Sequence, residues 1–464
     1  MFPEGFIIRI KQQEYIDTDN LLQSLAEPAP VSIRINRSKT NGDPSDSDPV
    51  DWCDSGFYLA GRPSFTLDPL FHAGCYYVQE ASGMFLGEVY RQTLGDMNEI
   101  RVLDLCGAPG GKSTHLSSLI GQKGLLIANE TIVSRAAILT ENITKWGLSN
   151  TIVTQNDPSA FKSLPGFFDM VLVDAPCSGE GMFRDKSVQD QWSEKNTALC
   201  AERQKRILMD VWPSIKENGI LAYTTCTFNP GENEDNIRWL ISRKRGETVK
   251  LDISGYKGIA EIDFNGVWGY GFYPGKIRGE GLFVSVLRKK EKEAKADNRQ
   301  RRPGYTGLTG QERSVAAEWT LFPSGGLIRS GDSMFYTAGG YETLHELSGW
   351  LRIKSPGTRI FTIKKNKFIP SHDLALSVFI KKNHFPVMEL DPDSAIRFLR
   401  RENFTAGNSE QGWNLISFRG VNLGFANNIG NRLNNYYPVE WRIRMRDDGR
   451  YAPDPVKWSN ISKT

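Results

Sequence analysis

Residues 100–116 read Ile-Arg-Val-Leu-Asp-Leu-Cys-Gly-Ala-Pro-Gly-Gly-Lys-Ser-Thr-His-Leu. Ile100 to Leu105 is a short aliphatic run of buried-strand type, and Leu116, Leu119 and Ile120 recur at helical spacing from a start near Ser113. Gly107, Gly110 and Gly111 lie between, where glycine lets the backbone turn tightly and approach a ligand in front of the free N–H groups of a helix N-terminus. Strand, glycine turn and helix together predict the first unit of a doubly wound α/β sheet with a nucleotide-type cofactor loop.

Spacing narrows the ligand. A phosphate-cradling loop needs G-x-x-x-x-G-K-[ST], and counting back from Gly111-Lys112-Ser113 puts Cys106 at the first position. A dinucleotide fingerprint fails as well, because Gly107-Ala-Pro-Gly110-Gly111 has the wrong interval. What is left is a nucleoside without a polyphosphate. Gly124 to Ala128 reads as a second strand that ends at Asn129-Glu130, about 20 residues past the loop, where a carboxylate can accept both ribose hydroxyls. Thr151 to Thr154 is a third strand, and Asp157 beyond it falls beside the adenine edge; either acid alone could equally cap the next helix.

Phe168 to Asp174 is a fourth buried strand, followed by Ala175-Pro-Cys-Ser-Gly-Glu-Gly181 at the carboxyl end, where open α/β sheets bind ligands. Gly219 to Thr225 is the next strand and runs into Cys226. Cys177 and Cys226 therefore face one pocket, with Asp174 beside them, and the helical stretch Trp192 to Trp212 carries Arg203, Lys205 and Arg206 nearby. Two thiols and an acid suit the methylation of cytosine at carbon 5, because a thiolate added to carbon 6 makes carbon 5 nucleophilic. An acid near N3, its pKa raised by burial, would stabilise the developing charge, which is the role open to Asp174. The residues alone leave the order of the two thiols open, and two buried thiols packed under a sheet edge are the plain alternative.

The motifs at 105–112, 129–130, 174–181 and Thr-Thr-Cys-Thr at 224–227 resemble those of the Nol/Nop/Sun family of S-adenosylmethionine-dependent RNA cytosine-5 methyltransferases. The likeness extends to Ser32-Ile-Arg-Ile-Asn36, Tyr77-Val-Gln-Glu-Ala-Ser82 and Gly279-Glu-Gly-Leu-Phe283, covering the first 290 residues or so. It implies that Cys106, Gly107, Ala108, Pro109, Gly110, Gly111 and Lys112 wrap the methionine part of the cofactor. It also implies that Glu130 holds the ribose, Asp157 the adenine side, and that Arg135 is a further pocket residue. Cys226 is implied as the attacking thiol and Cys177 as the one that assists product release. Tyr273-Pro274-Gly275 departs from the family, whose members commonly place histidine after the proline.

Composition bounds the rest. The 464 residues, 39% hydrophobic and 24% charged, describe a globular chain large enough for about three domains. No basic-then-apolar leader or membrane-length run is present, so a cytoplasmic location is expected. Six cysteines without a C-x-x-C pair and five histidines without metal spacing predict reduced thiols and no metal. Charge is uneven: residues 1–287 carry 28 basic and 36 acidic side chains, 288–302 carry 8 and 3, and 303–464 carry 21 and 15. A basic second half suggests a polyanionic partner, RNA, held mainly by the tail, although ordinary solubility charge reads the same way.

Five segments follow from this reading. Residues 1–95 form an N-terminal α+β segment docked on the core, with Thr40 to Asp51 as a loop. Residues 96–288 form a Rossmann-like methyltransferase core, and 289–304 a charged linker. Residues 305–390 form a small α+β unit in which Thr358 to Ile363 leads to a basic hairpin turn at Lys364-Lys-Asn-Lys367. Residues 391–464 resemble the PUA-type RNA-binding domain of a bacterial ribosomal branch of the family. There Trp441-Arg-Ile-Arg-Met-Arg446 is expected as a strand with three arginines on one face, beside Tyr436, Tyr437 and Trp441 as base-stacking residues. The expected activity is cytosine-5 methylation of small-subunit (16S) ribosomal RNA by a monomer. A tRNA methyltransferase, a non-catalytic RNA-binding assembly factor and a P-loop ATPase are the rivals.

Overall fold

The computed structural model describes residues 2–95, 97–293, 304–403, 409–445 and 456–459. The N-terminal segment opens with helices Glu4–Lys11 and Thr18–Ala26, then β1 (Val31–Ile35), β2 (Ser47–Val50), β3 (Cys53–Leu59) and β4 (Tyr76–Val78). These strands make a sheet in the order β2-β3-β1-β4. The expected Thr40–Asp51 loop is thus partly an edge strand. Pro49 is tolerated there because an edge strand leaves N–H groups unpaired on one side.

The core follows with β5 (Arg101–Asp104), β6 (Leu125–Asn129), β7 (Thr151–Thr154), β8 (Phe168–Asp174), β9 (Ile215–Thr225), β10 (Gly246–Thr248), β11 (Ile259–Asp263), β12 (Trp268–Phe272) and β13 (Leu282–Lys289). The connecting unit holds β14 (Leu327–Ser330), β15 (Ser333–Tyr336), β16 (Ile353–Ser355), β17 (Thr358–Lys364) and β18 (Lys367–Pro370). The last unit holds β19 (Val387–Glu389), helix Pro392–Arg400, β20 (Gly412–Phe418), β21 (Val421–Asn428) and β22 (Leu433–Asn435).

The central sheet runs β11-β12-β13-β9-β8-β5-β6-β7-β16, with β10 alongside β13. Strands β5 to β9 are parallel, and alternate residues feed opposite faces. Val102, Leu126, Met170 and Ala222 enter one apolar cluster, while Leu103, Ile127, Val171 and Leu221 enter another. Burial on both faces is why these strands read as continuous apolar runs. β5 joins β6 on one side and β8 on the other, so the order reverses between β5 and β8 and opens a crevice at the strands' carboxyl ends.

Two features cross the expected segment limits. β13 ends at Lys289, a buried residue whose amine is held by the carbonyls of Trp212 and Ile215, so the linker starts inside a strand; its residues 294–303 lie outside the described residues. β16 leaves the connecting unit to pair with β7 and widens the core sheet. The basic turn forms as expected between β17 and β18, with Lys365 and Asn366 at φ 47° and 59°, the backbone of a two-residue hairpin turn. Trp441 to Met445 has no ladder partner among the described residues, so the expected strand is not seen there, and Arg446 lies outside them. Tyr437 is fully buried among Ala395, Phe398 and Leu399 and is not free to stack on a base, whereas Tyr436 is 41% exposed. No helix among the described residues is long and apolar enough to cross a membrane.

Candidate functional site

A cavity of about 700 Å³ opens at the β5/β8 crevice. Cys106, Ala108, Pro109, Lys112, Glu130, Arg135, Asp157, Asp174, Cys177 and Cys226 all line it. Gly107, Gly110 and Gly111 do not; they shape the loop instead. A Cβ on Gly107 would lie 2.7 Å from Ser113 Oγ, and Gly110 sits at φ +123°, a backbone that side chains rarely adopt. The helix that follows is Gly111–Leu119, two residues earlier than the sequence pattern suggested.

At the Glu130 end of the cavity, three loop ends are knitted by a buried residue that the sequence reading named only as part of a strand-end motif. Asn129 Nδ2 donates to the carbonyls of Leu105 and Asn156, each at 3.0 Å, while its Oδ1 accepts from Asn156 N at 3.0 Å. Glu130 is buried with one oxygen engaged by Ile132 N at 3.0 Å, and Arg135 lies 3.5 Å from the other. Arg135 also donates to Ala108 O at 2.8 Å, tying the glycine loop to the Glu130 strand end. Asp157 caps the turn at Pro158 through Ser159 N at 3.0 Å while still bordering the cavity, so capping and lining coexist. Arg203 and Arg206 line the cavity too, whereas Lys205 pairs with Glu202.

Asp174 is less buried than the sequence reading expects. Its side chain is one-third exposed, and its oxygens accept from Lys112 Nζ at 2.9 Å and Thr224 Oγ1 at 2.7 Å. Burial works against the Lys112 charge, yet Asp174 outweighs it and holds the amine above its ordinary range. Burial raises the acid of Asp104, at the end of β5. Its pKa moves up to about 7 by burial, with the Ser113 hydroxyl opposing, and its Oδ1 has no partner among the described residues. An acid closing an apolar strand was the signal for it.

The thiols meet. Cys177 Sγ and Cys226 Sγ are 3.2 Å apart, brought together by β8/β9 pairing that sets Asp174 opposite Thr224. The contact with Cys226 and burial push the Cys177 thiol well above its usual range. A donor-type cavity that ends on a thiol pair, beside a carboxylate–ammonium pair, is equipped for thiolate addition to an electron-poor ring.

Residues 91–288 match the family model for 16S rRNA methyltransferase RsmB/F, and residues 2–81 and 385–443 match those for the RsmF N-terminal domain and the methyltransferase RsmF PUA domain. Residues 91–288 thus carry an RsmB/F methyltransferase domain, flanked by an RsmF-type N-terminal domain and a PUA domain. Similar relatives include the ribosomal RNA small subunit methyltransferase F proteins of Shewanella loihica and Klebsiella pneumoniae. Both are 28% identical to this chain; the first match covers 92% of each protein, the second 95% of this chain and 96% of that one. Among solved structures, a methyltransferase homologue from Pyrococcus horikoshii aligns with TM-score 0.53 and 26% identity over 62% of this chain and 95% of that one. NSun6 from the same organism, solved with SFG, aligns with TM-score 0.52 and 19% identity over 63% of this chain and 99% of that one, and supports the fold.

Proposed function

We propose that this protein transfers a methyl group from S-adenosylmethionine to carbon 5 of a cytosine in 16S ribosomal RNA, through a covalent adduct of Cys226 at carbon 6. The observation that carries this reading is the 3.2 Å thiol pair at the end of the glycine-loop cavity. The cavity suits the cofactor, which supplies an electrophilic methyl when bound: glycine-shaped backbone for the methionine part, Glu130 for the ribose and Asp157 for the adenine side. Arg135 holds the loop against Glu130.

The target base must leave any stack to present carbon 6 to the thiol. Cys226, as thiolate, adds to carbon 6, and electron density moves through the ring toward N3. The Lys112 ammonium, aligned by Asp174, is the proton-bearing group available to meet that charge. After methylation a water molecule takes the carbon 5 proton, the freed electron pair re-forms the bond between carbons 5 and 6, and Cys226 leaves as thiolate. Cys177, in contact with the leaving sulfur, assists that release. The PUA domain and the basic C-terminal half hold the RNA.

Labelled methyl transfer onto small ribosomal subunits, naked 16S rRNA and bulk tRNA, followed by nucleoside mass spectrometry, tests the reading. It predicts 5-methylcytidine in 16S rRNA. Product in tRNA alone would move the substrate class, and normal RNA binding with no transfer to any RNA would leave an assembly factor.

A further inference from the structure

The two sulfurs sit on loops that follow different strands; the strand register ends at Asp174 and Thr224, and past it the main chain joins the loops through Gly181 N donating to Cys226 O at 2.9 Å. Beyond that point each loop sends a carboxylate to the other. Glu180, on the Cys177 loop, accepts from the backbone N–H of Phe228 on the Cys226 loop at 3.1 Å. Glu232, on the far side of the Cys226 loop, accepts from Ser178 N at 2.9 Å and Ser178 Oγ at 2.5 Å, next to Cys177. The hydroxyls of Ser178 and Thr227, the residues following the two cysteines, are themselves 2.9 Å apart.

Both carboxylates are fully buried, and each has a compensating partner from outside the loops. Gln204 Nε2 donates to Glu232 at 2.9 Å and to Pro176 O at 3.1 Å. Glu180 accepts from Trp192 Nε1 at 2.9 Å and forms an ion pair with Arg9, on the N-terminal Glu4–Lys11 helix. Gln13, just past that helix, donates to Phe228 O at 3.1 Å. The N-terminal segment therefore touches both loops, the Cys177 loop through Arg9 and the Cys226 loop through Gln13.

We propose that Glu180 and Glu232 form a reciprocal clamp that fixes the two thiols relative to each other, and that Arg9 makes the N-terminal helix a positioning part of the site. The inference rests on the reading that Cys226 adds to carbon 6 and Cys177 serves release. Buried charged hydrogen bonds are stiff in a low-dielectric interior, and a misplacement of about 1 Å costs on the order of 10²-fold in rate. The halves of the clamp act on different steps. Glu232 holds the Cys177 loop, so its loss impairs release; Arg9 and Glu180 hold the Cys226 loop, so their loss impairs attack. The Glu232 charge also adds to what keeps Cys177 protonated, after the Cys226 contact and burial.

Glu232→Gln keeps size and shape, and Ser178→Ala removes one bond of the same half. In both, kcat should fall, by on the order of 10²-fold for Glu232→Gln, while KM for S-adenosylmethionine stays put and a covalent protein–RNA adduct accumulates. Arg9→Met should lower kcat without adduct, and Arg9→Lys should restore part of it. Iodoacetamide alkylation of each thiol against pH, read by peptide mass spectrometry without RNA, should show the Cys177 midpoint lowered in Glu232→Gln. Melting temperature and cofactor binding separate these effects from unfolding. Wild-type kcat and an unchanged alkylation profile in folded Glu232→Gln would overturn the clamp. If the wild-type protein forms neither adduct nor 5-methylcytidine, the functional reading fails, and the alkylation profile still decides whether Glu232 positions the thiol.

Discussion

The β5/β8 cavity and the PUA domain were both marked by short polar motifs, yet the structure treats the two sets differently. Every cavity motif lies at or just past the carboxyl end of a parallel strand, so pairing within the sheet fixes where each motif begins. Cys177 and Cys226 follow β8 and β9 and meet at 3.2 Å. In the PUA domain the expected arginine strand has no partner strand among the described residues, and the neighbouring tyrosines separate. Tyr436 faces outward, while Tyr437 turns inward to pack on Phe398 and the rings of His372 and Trp441 fill the same interior. A motif anchored on a paired strand fixes its side-chain directions; alternation along an unpaired segment does not.

The largest effect that would test this contrast is at the thiols. Cys226→Ala should lower turnover by roughly three or more orders of magnitude, and Cys177→Ala should leave a covalent protein–RNA adduct visible on a denaturing gel. Equal inactivity of both variants with no adduct would erase the division of roles.

Adjacent tyrosines give the next test. Tyr437→Ala should cost about 3–5 kcal/mol of stability, measured by denaturant unfolding, because it empties a packed interior. Tyr436→Ala should leave stability unchanged and weaken RNA binding by about 1–3 kcal/mol in a filter or anisotropy assay. The reverse pattern would show that the interior and exterior assignments are exchanged.

The two regions should also respond oppositely to pH. His72 and His372, at the PUA interface, have pKa values lowered from 6.5 to about 3 by burial and by the Lys145 charge. A depressed histidine pKa favours the neutral ring in the folded state. Its stabilisation is complete above the unfolded value and is lost as pH falls from 6.5 toward 3, by about 2 kcal/mol for each ring at pH 5. Asp104 has its pKa raised from 3.8 to about 7, so the folded state favours its neutral acid and loses stability as pH rises through that window, again by about 2 kcal/mol between pH 5 and 7. Hydrogen exchange at pH 5 and pH 8 should therefore deprotect residues 433–443 in acid and 101–116 in base.

The smallest effect is at the arginines. Arg442 and Arg444 are exposed on either side of buried Ile443, so each removed should reduce the salt slope of RNA binding by about 0.7–0.9 if it meets a phosphate. An unchanged slope would leave them as solvated surface.

Much of the core was legible because parallel strands buried on both faces write their apolar runs directly into the chain. β7 and β8 occupy the residues the pattern marked, and β5 and β6 differ by a residue at either end. Three things were not legible. β2 hides in Ser-Asp-Pro-Val, since an edge strand needs neither apolar residues nor every N–H. β16 joins the core sheet from across the linker, a long-range pairing with no local signature. Asn129, Glu180 and Glu232 look like ordinary polar loop residues until the fold shows which N–H groups they face.

The sequence by itself determined the strand-and-loop order of the core, the glycine turn after β5 and the pair of strand-end cysteines, because local spacing and side-chain type decide all three. Only the tertiary structure decided that Asp174 is paired with Lys112 and that burial instead raises Asp104. It alone set the thiols 3.2 Å apart and turned Tyr437 inward. Those outcomes depend on which distant groups share a buried volume, and burial and charge pairing are properties of neighbours in space rather than neighbours in sequence.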